Sequence, residues 1–230
     1  MQLNNLFNLR KINMEMYELT EKVVEYCRKN NIKKLYICGN GGAGKTTFSK
    51  MVAEKAREYG NANIISLDDF MAETELRKNA VIKWVENGEE KEYRYTSSIP
   101  ETYFFKNVYE LLYNIDNGLD CYYFPRRYKE KNNMRKLFAD NILTVIEGIG
   151  TVFLEKAENS LSVYLKCSKE EEIKRRIERT AEKKWHSIEL YDENRSSQFR
   201  VFVEPLAEQF DVVVESGENY DLTILKGDRF

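Results

Sequence analysis

The sequence lacks a charge imbalance of either sign. Its 230 residues include 36 lysines and arginines and 38 aspartates and glutamates, which leaves a formal net charge of -2. A chain without a basic excess has no overall attraction for nucleic acid or for an anionic membrane surface. We therefore predict neither partner, and any phosphate binding has to come from a local group of basic residues.

Cysteine, proline and histidine are scarce. The four cysteines are scattered, without the paired spacing of a zinc site or a redox couple, so we predict buried, reduced thiols. The sequence places no nucleophilic or metal-binding partner beside the single histidine, His186. This favours a surface or packing role over catalysis. The cysteines are Cys27, Cys38, Cys121 and Cys167.

Long hydrophobic runs are absent as well. No stretch approaches the length of a membrane span, and polar residues interrupt residues 1–19 before an apolar run of signal-peptide length. No repeat, low-complexity tract or Pro/Gly/Ser-rich linker is present. These absences predict a cytoplasmic protein, and the length suits one domain, which we place at 1–230.

Strand-like and helix-like patterns alternate along the chain. This alternation predicts an α/β fold with a mainly parallel sheet covered by helices. Two runs of residues that favour strands flank Asn87-Gly88. They predict an inserted hairpin at 80–96, with a loop longer than two residues. The predicted strands are 35–38, 63–67, 142–146, 162–167, 212–214 and 222–225, and the predicted helices are 14–29, 45–59, 101–116, 169–184 and 192–209.

The strongest motif is GNGGAGKT, which fits the phosphate-loop pattern G-x-x-x-x-G-K-S/T between a predicted strand and a predicted helix. Glycines let backbone N–H groups close around phosphates, and the helix amino end adds a favourable partial charge. Lys45 is expected to reach the β- and γ-phosphates, and the Thr46 hydroxyl to bind Mg²⁺. The alternative is a glycine-rich turn. The predicted nucleotide-binding residues are Gly39, Asn40, Gly41, Gly42, Ala43, Gly44, Lys45, Thr46 and Thr47.

Acidic residues follow two of the predicted strands. Glu147 ends a buried run, where a further magnesium ligand is expected, although a strand-end Glu by itself is more often a surface residue. Asp68 and Asp69 follow the strand at 63–67, at the ligand-binding edge of an α/β sheet. One of them can deprotonate an attacking hydroxyl. We favour Asp68 as that base and leave open whether Asp69 only caps the next helix.

A basic helix follows the strand at 162–167. Arg175 and Arg179 stand at i, i+4 and Arg176 and Arg179 at i, i+3, so they share a face. Such cations can neutralise the charge that spreads over a transferred phosphoryl group. The alternative is a solvated helix whose arginines pair with its own glutamates. Because the phosphate loop is present, we interpret the segment as a basic lid.

An aromatic and basic cluster surrounds Pro125. It could stack on and hydrogen-bond a base or sugar, or it could be the edge of the core next to solvated charges. The sequence does not separate these two interpretations. Its members are Tyr122, Tyr123, Phe124, Arg126, Arg127, Tyr128 and Lys129.

In this order the motifs resemble the uridine kinase family of P-loop kinases, whose relatives include nicotinamide riboside kinase, bacterial pantothenate kinase and phosphoribulokinase. YICGNGGAGKTTFSK is similar to the family's first strand and phosphate loop, SLDDF to its D-S-F or D-D-F segment, and TVIEGIG to V-I-I-E-G-I. YLKCSKEEEIKRRIERT is similar to the lid entry, and FVEPLAEQFDVVVES to the closing helix and strand. The resemblance implies a three-layer P-loop NTPase fold with a helical lid at about 169–190.

The resemblance also implies residue roles, with ATP and Mg²⁺ as cofactors. Lys184 stands where the family has a further lid arginine, and this exchange keeps the charge but loses the planar fork. The implied roles are Asp68 as general base, Lys45 and Thr46 on phosphate and metal, Glu147 on the metal side, and Arg176 and Arg179 as catalytic lid arginines.

The departures from the family pattern concern the acceptor. Where uridine kinases have an acidic residue before a H-P pair, this chain has Ser98 followed by Ile-Pro. Tyr122 fits the family's Y-D-F-x-x-H loop, but Arg127 replaces the His, and an arginine suits an acidic or phosphorylated acceptor better than a neutral pyrimidine. The implied acceptor-binding residues are Asp68, Tyr122, Arg127 and Arg176.

The sequence therefore predicts a kinase that moves the γ-phosphate of ATP to a hydroxyl of a small-molecule acceptor, with a nucleoside favoured. The same chemistry on pantothenate, nicotinamide riboside or a sugar phosphate is the nearest alternative. A nucleotide switch or assembly ATPase is the alternative of another class, although the chain has no N-K-x-D motif for reading guanine. A homo-oligomer is left open.

Overall fold

The computed structural model describes residues 13–126, 134–182, 192–218 and 221–227. The strands are β1 (Asn13–Met14), β2 (Lys34–Gly39), β3 (Ala62–Ser66), β4 (Val81–Glu86), β5 (Glu89–Arg94), β6 (Cys121–Tyr123), β7 (Arg135–Leu137), β8 (Leu143–Glu147), β9 (Ser160–Lys166), β10 (Val212–Ser216) and β11 (Leu222–Lys226). The α-helices are α1 (Met16–Lys29), α2 (Lys45–Ala56), α3 (Thr74–Lys78), α4 (Phe105–Asp116), α5 (Lys169–Glu182) and α6 (Glu193–Phe202).

Seven strands form the central sheet, in the order β1-β11-β10-β9-β2-β8-β3. The five strands from β10 to β3 run parallel, whereas β11 is antiparallel to both β10 and β1. Every residue of β8 is buried, as expected for a parallel strand with helices on both sides. The predicted α/β class with a mainly parallel sheet is confirmed.

Helices cover both faces of this sheet. Successive residues of β2 pack against the helices on alternate faces. Leu35 and Ile37 pack into the core formed with α1 and α2. Tyr36 and Cys38 point to the opposite face, where Tyr36 packs with residues of α4. The alternation follows from the period of two of an extended strand. It gives the three layers that the family resemblance implies.

The helices predicted at 45–59, 101–116 and 192–209 are too long, the first because α2 ends at Ala56. Proline explains the other two. The helix predicted at 192–209 ends as α6 at Phe202, and a 3-10 turn with Pro205 near its start follows. The helix predicted at 101–116 begins only at Phe105, after a 3-10 turn that opens at Pro100. Proline lacks the N–H that continues an α-helix, but it fits the first position of a new turn.

The four cysteines all lie in the described ranges and are free thiols. Cys27, Cys38 and Cys121 are buried, as predicted, and burial raises the pKa of Cys27 to about 12. The prediction of burial is wrong for Cys167, which is only half-buried. This residue follows β9 beside the glycine loop, where its thiol donates to the carbonyl oxygen of Gly41 at 3.6 Å.

The inserted hairpin is present as β4 and β5, but the prediction of a loop longer than two residues is wrong. Glu86 pairs directly with Glu89, so Asn87 and Gly88 alone form the turn. Both have positive φ, 54° and 82°. This is the type I′ geometry, whose twist matches that of paired strands and which favours Asn-Gly.

The hairpin is fastened to α6 by buried polar groups. The indole of Trp84 donates to the Ser197 hydroxyl at 2.9 Å, and that hydroxyl donates to Glu86 at 2.6 Å. Arg200 of α6 also donates to Glu86, at 2.8 and 3.2 Å. Thr96, just after β5, donates to Gln198 at 2.6 Å. The hairpin and α6 therefore form one packed unit although about a hundred residues separate them in the sequence.

Acid is expected to loosen this unit. Hydrogen bonds from Arg200, Lys91 and Ser197 lower the pKa of Glu86 from its ordinary 4.5 to about 2. A depressed folded-state pKa gives stability that is present above the unfolded pKa and is lost as pH falls through the folded one. In a Trp185→Phe background, where Trp84 is the single tryptophan, we expect its emission to shift to the red between pH 4.5 and 2.

The Glu86→Gln variant is the control for this titration. It should be less stable than the parent at pH 7 and should lose the additional acid sensitivity, because the titrating carboxylate is gone. Identical pH profiles for the parent and Glu86→Gln would show that Glu86 does not govern the docking of the hairpin.

Candidate active site

The phosphate loop joins the end of β2 to the start of α2. Gly42 and Gly44 take positive φ angles of 76° and 92°, a conformation that glycine adopts without strain. Gly44 is the N-cap of α2 and supplies no side chain to the first N–H groups of the helix. Such a helix end is suited to bind an anion. Lys45 curls back over the loop, and its Nζ donates to the carbonyl oxygen of Asn40 at 2.7 Å.

Gly39, at the start of the loop, has no room for a side chain. Its φ is +141°, and a Cβ placed there would lie 1.7 Å from the carbonyl oxygen of Leu165 in β9. We expect Gly39→Ala to lower the free energy of unfolding by about 3 kcal/mol or more, since backbone strain and overpacking add. Urea unfolding measures the loss.

Gly118→Ala is the matched control. Gly118 also has a positive φ, 74°, but a Cβ at this position would meet nothing within 4 Å. Only the conformational cost, about 1–2 kcal/mol, is expected there. Equal losses in the two variants would show that β9 moves aside to admit a side chain at Gly39.

Three acidic residues stand at the carboxyl ends of the neighbouring strands β3 and β8. Glu147 is the last residue of β8, buried between Ile37 of β2 and Ser66 of β3, and Ser66 donates to its Oε1 at 2.7 Å. Asp68 and Asp69 lie in the 3-10 turn that follows β3. Burial raises the pKa of Glu147, the Ser66 hydrogen bond and the Lys45 charge oppose this, and Asp68 and Asp69 add to it. The sheet thus brings these predicted residues together.

The two aspartates differ in their surroundings. Asp69 is half-buried and accepts a hydrogen bond from the Tyr123 hydroxyl at 3.4 Å, while Tyr123 packs its ring on Phe70. Asp68 is exposed. The hydrogen bond from Tyr123 links Asp69 to β6, whereas the exposed Asp68 carboxylate is accessible to a reactant.

The arginines of α5 divide into two kinds. Arg175 is buried and donates to the Gly42 carbonyl at 3.1 Å and the Ser216 hydroxyl at 3.0 Å, and also to the carbonyl of Gly217. Arg176 pairs with Glu172 directly over Gly41, where a Cβ would lie 2.2 Å from its guanidinium. Arg175 is therefore a structural anchor of the phosphate loop, a role that helical spacing alone could not reveal.

Several residues that the sequence predicts for the site do not lie beside Asp68, Asp69 and Glu147 or lie outside the described residues. Tyr122 is 52% exposed on the outer side of β6, with Lys136 5.7 Å from the centre of its ring, and its neighbour Tyr123 takes the inward position. Thr46 and Thr47 are exposed at the start of α2. The side chain of Arg179 and the residues Arg127, Lys184 and His186 lie outside what the structure describes.

A cavity of about 270 Å³ opens beside the phosphate loop, and sequence reasoning did not find it. We call it the α6 cavity. Asn40 and Gly41 of the loop, the end of β9, the start of α5 and the inner side of α6 form its wall, together with Ser97 and Ser98 after the hairpin. Its lining includes Ser97, Tyr164 and Arg195, which belong to none of the sequence motifs. They are far apart in the sequence and come together only in the folded chain.

The donor chemistry at the loop suits magnesium. Mg²⁺ in nucleotide enzymes takes one or two protein oxygens and completes its shell with phosphate oxygens and water. The Thr46 hydroxyl and the Glu147 carboxylate are oxygen donors of this kind. Within the described residues, no group of three or more His, Cys, Asp or Glu side chains gathers as a metal site, and none of the described helices has the length and apolar content to cross a membrane.

The fold and the loop define a P-loop kinase. A model of the phosphoribulokinase / uridine kinase family matches residues 35–223, and the chain belongs to that family. The fold is shared with phosphoribulokinase from Rhodobacter spheroides, at 13% identity and a TM-score of 0.51, over 82% of this chain and 71% of that one. A structure titled a possible uridine kinase from Bacillus stearothermophilus matches at 17% identity and a TM-score of 0.48, over 85% and 98%. Among curated protein sequences there is no significant match.

Proposed function

We propose that this protein transfers the γ-phosphate of ATP to a hydroxyl group of a small metabolite. The observation that carries the proposal is the meeting of a phosphate loop with Asp68 and Glu147 at the carboxyl ends of β3 and β8. Membership of a kinase family supports the same reaction. Loop, base and metal-side carboxylate are the parts that in-line phosphoryl transfer needs.

The nucleotide is held by the loop amides from Gly41 to Thr46 and by Lys45. In this role Lys45 exchanges its bond to the Asn40 carbonyl for the β- and γ-phosphates. Thr46 and Glu147 would hold Mg²⁺, which when bound offsets the negative charge of the triphosphate. Burial keeps water from competing at Glu147.

The acceptor hydroxyl loses its proton to Asp68. Its exposed carboxylate can reach a bound reactant, whereas Asp69 is engaged with Tyr123. Proton acceptance by a positioned carboxylate contributes about 10²- to 10⁴-fold in rate. The lid then supplies the positive charge: Arg176, with Arg179 and Lys184 as the further proposed residues, neutralises the moving phosphoryl group and excludes water.

A nucleoside is the acceptor that the family resemblance favours, and Tyr122 and Arg127 are its proposed contacts. Pantothenate, nicotinamide riboside and sugar phosphates are the other acceptors to be compared. The decisive experiment measures ADP release with ATP and Mg²⁺ across this panel. Acceptor-dependent release supports the proposal. Hydrolysis that no metabolite changes but that a protein stimulates would assign the chain to the ATPase class instead.

A further inference from the structure

The Glu147 carboxylate has one hydrogen-bond donor in the described part of the chain, and that donor is Ser66. The hydroxyl of Ser66, the last residue of β3, donates at 2.7 Å to Oε1 of Glu147, the last residue of β8. Oε2 accepts no hydrogen bond from the described residues and is not fully enclosed. One oxygen of this carboxylate is thus held in place while the other remains available.

The sheet fixes the backbone of both residues. Ser66 and Glu147 are partners in the parallel register of β3 and β8, and Ile37 of β2 is the partner of Glu147 on the other side. The N–H of Gly148 donates to the carbonyl oxygen of Ile37 at 3.0 Å, which holds the chain where β8 ends. With the main chain fixed on both sides, only the side-chain torsions of Glu147 are left to be set.

The strand period gives the face on which the Glu147 side chain lies. Residues of a strand alternate between the two faces of a sheet, so Glu147 shares a face with Leu143 and Val145. Leu143 and Val145 belong to the core cluster formed with α1 and α2. Because α2 begins at the phosphate loop, the carboxylate lies on the side of the sheet that serves the nucleotide.

Charges around Glu147 act on it in opposite directions. Burial raises the pKa of Glu147, and the Ser66 hydrogen bond lowers it. Beyond these, the charge of Lys45 lowers the same pKa, and the charges of Asp68 and Asp69 raise it. A cation attracts the carboxylate and anions repel it, and a glutamate side chain has the torsional freedom to respond. The hydrogen bond from Ser66 is the contact that keeps the group in one position.

A supporting donor of this kind has a known effect in metal sites. Carboxylates that bind a metal ion are themselves hydrogen-bonded, and loss of the supporting partner lowers metal affinity or activity about 10- to 100-fold. The position of the Ser66 hydroxyl is set by the sheet and not by a loop, so it provides a rigid support.

We propose that Ser66 is a positioning residue for magnesium: its hydroxyl holds Oε1 of Glu147, so that Oε2 stays available to the cation that binds with the nucleotide. The inference rests on the proposed function and deepens it, since it adds a residue to the metal side of the same site. In this role Ser66 acts only through Glu147 and touches neither nucleotide nor metal.

The first test measures how much Mg²⁺ raises nucleotide affinity. Calorimetry gives the affinity of the whole chain for a non-hydrolysable ATP analogue in excess Mg²⁺ and in EDTA, and the ratio of the two affinities is compared between variants. The effect of Mg²⁺ on the free analogue is the same for every variant and cancels. We expect Ser66→Ala to lower the ratio about 10-fold while the affinity in EDTA stays near that of the parent.

An unchanged ratio in Ser66→Ala overturns the inference and leaves the proposed function standing. A parent protein that binds the analogue equally well with and without Mg²⁺ also overturns the inference, because Glu147 then contributes nothing through the metal. A parent that does not bind the analogue in either condition overturns the proposed function itself.

Ser162→Ala is the matched control. Ser162 in β9 is buried and donates to the Asp211 carboxylate at 2.8 Å, so it makes the same kind of bond. Asp211 directly precedes β10, at the opposite edge of the parallel sheet from the phosphate loop. This variant should lower the Tm and keep the parental ratio. A loss of the ratio as large as in Ser66→Ala would show that general loosening of the sheet is the cause.

Two further substitutions separate the donor from the volume of the side chain. Ser66→Thr keeps the hydroxyl and suits a strand, so it should restore most of the Mg²⁺ effect. Ser66→Cys keeps a side chain of similar shape but has only a weak donor, so it should resemble Ser66→Ala. A parental ratio in Ser66→Cys would assign the effect to packing and overturn the role of the hydroxyl. Should Ser66→Ala fail to fold, this variant carries the test.

A double-mutant cycle tests whether Ser66 acts through Glu147. Glu147→Gln should lower the ratio at least as much as Ser66→Ala, and adding Ser66→Ala to it should cause no further loss. Losses that simply add would show that Ser66 affects the nucleotide by another route, and a parental ratio in Glu147→Gln would remove the metal role of both residues.

The dependence of the rate on Mg²⁺ gives an independent readout. In the ADP-release assay, Ser66→Ala should raise the Mg²⁺ concentration for half-maximal rate about 10-fold, whereas kcat at saturating Mg²⁺ should fall by a smaller factor. A variant that loses kcat with no change in its Mg²⁺ requirement would have lost structure and not the positioning of Glu147, and that result contradicts the proposal.

Discussion

Replacing Lys45 with alanine is expected to lower kcat/KM for phosphotransfer by about 10³-fold or more and to weaken nucleotide binding. The ammonium group lies over the phosphate loop, bonded to the carbonyl oxygen of Asn40, and its charge acts on the pKa of the buried Glu147. Without it, the charge on the transferred phosphoryl group loses a fixed partner. Titration with a fluorescent ATP analogue and an ADP-release assay measure the two effects.

Lys50 provides the control for this experiment. It lies on the same helix but is exposed on its outer surface, so Lys50→Ala should keep near-normal turnover and nucleotide affinity. Retention of more than about a tenth of the activity by Lys45→Ala would remove Lys45 from the transition state, since a lost cation at that position costs far more.

Asp68→Asn is expected to lower kcat by about 10²- to 10⁴-fold while nucleotide affinity stays near that of the parent, because only the proton acceptor is lost. The amide has nearly the shape of the carboxylate but does not accept a proton at neutral pH. Single-turnover measurements with the best acceptor report the chemical step directly. Nucleotide titration shows whether the loop is intact.

Asp69→Asn separates the two aspartates. Because Asp69 accepts a hydrogen bond from Tyr123, its replacement should affect mainly the Tm and should reduce kcat much less than Asp68→Asn does. The opposite order, with the larger loss of kcat at Asp69, would transfer the role of base to Asp69 and make Asp68 the supporting residue.

The features that could be predicted from the sequence are local ones. The phosphate loop is a continuous motif between a strand and a helix, and Glu147 and Asp68 stand at the ends of apolar runs that have the pattern of strands. The order of strands and helices then fixes a parallel sheet whose carboxyl edge gathers these residues. The positions of these proposed site residues along the edge could therefore be predicted from pattern and spacing.

The features that could not be predicted depend on contacts between distant segments. Arg175 has the same spacing as a lid arginine, and only the packing of α5 on the loop shows that it is buried. Tyr164 has the pattern of a core strand residue, and nothing in the pattern shows that its hydroxyl lacks a partner in the described fold. The length of the turn at Asn87-Gly88 was wrongly predicted because register depends on the pairing of whole strands.

The anchoring of the phosphate loop by Arg175 has a thermodynamic consequence. One guanidinium group joins the loop at Gly42 to the chain leaving β10 at Ser216 and Gly217, so the loop conformation is fixed by the fold before any nucleotide arrives. A preorganised loop loses little conformational entropy when it closes on a triphosphate. Substitutions at the β10–β11 edge, which is far from the loop in the sequence, should therefore alter the affinity for the nucleotide.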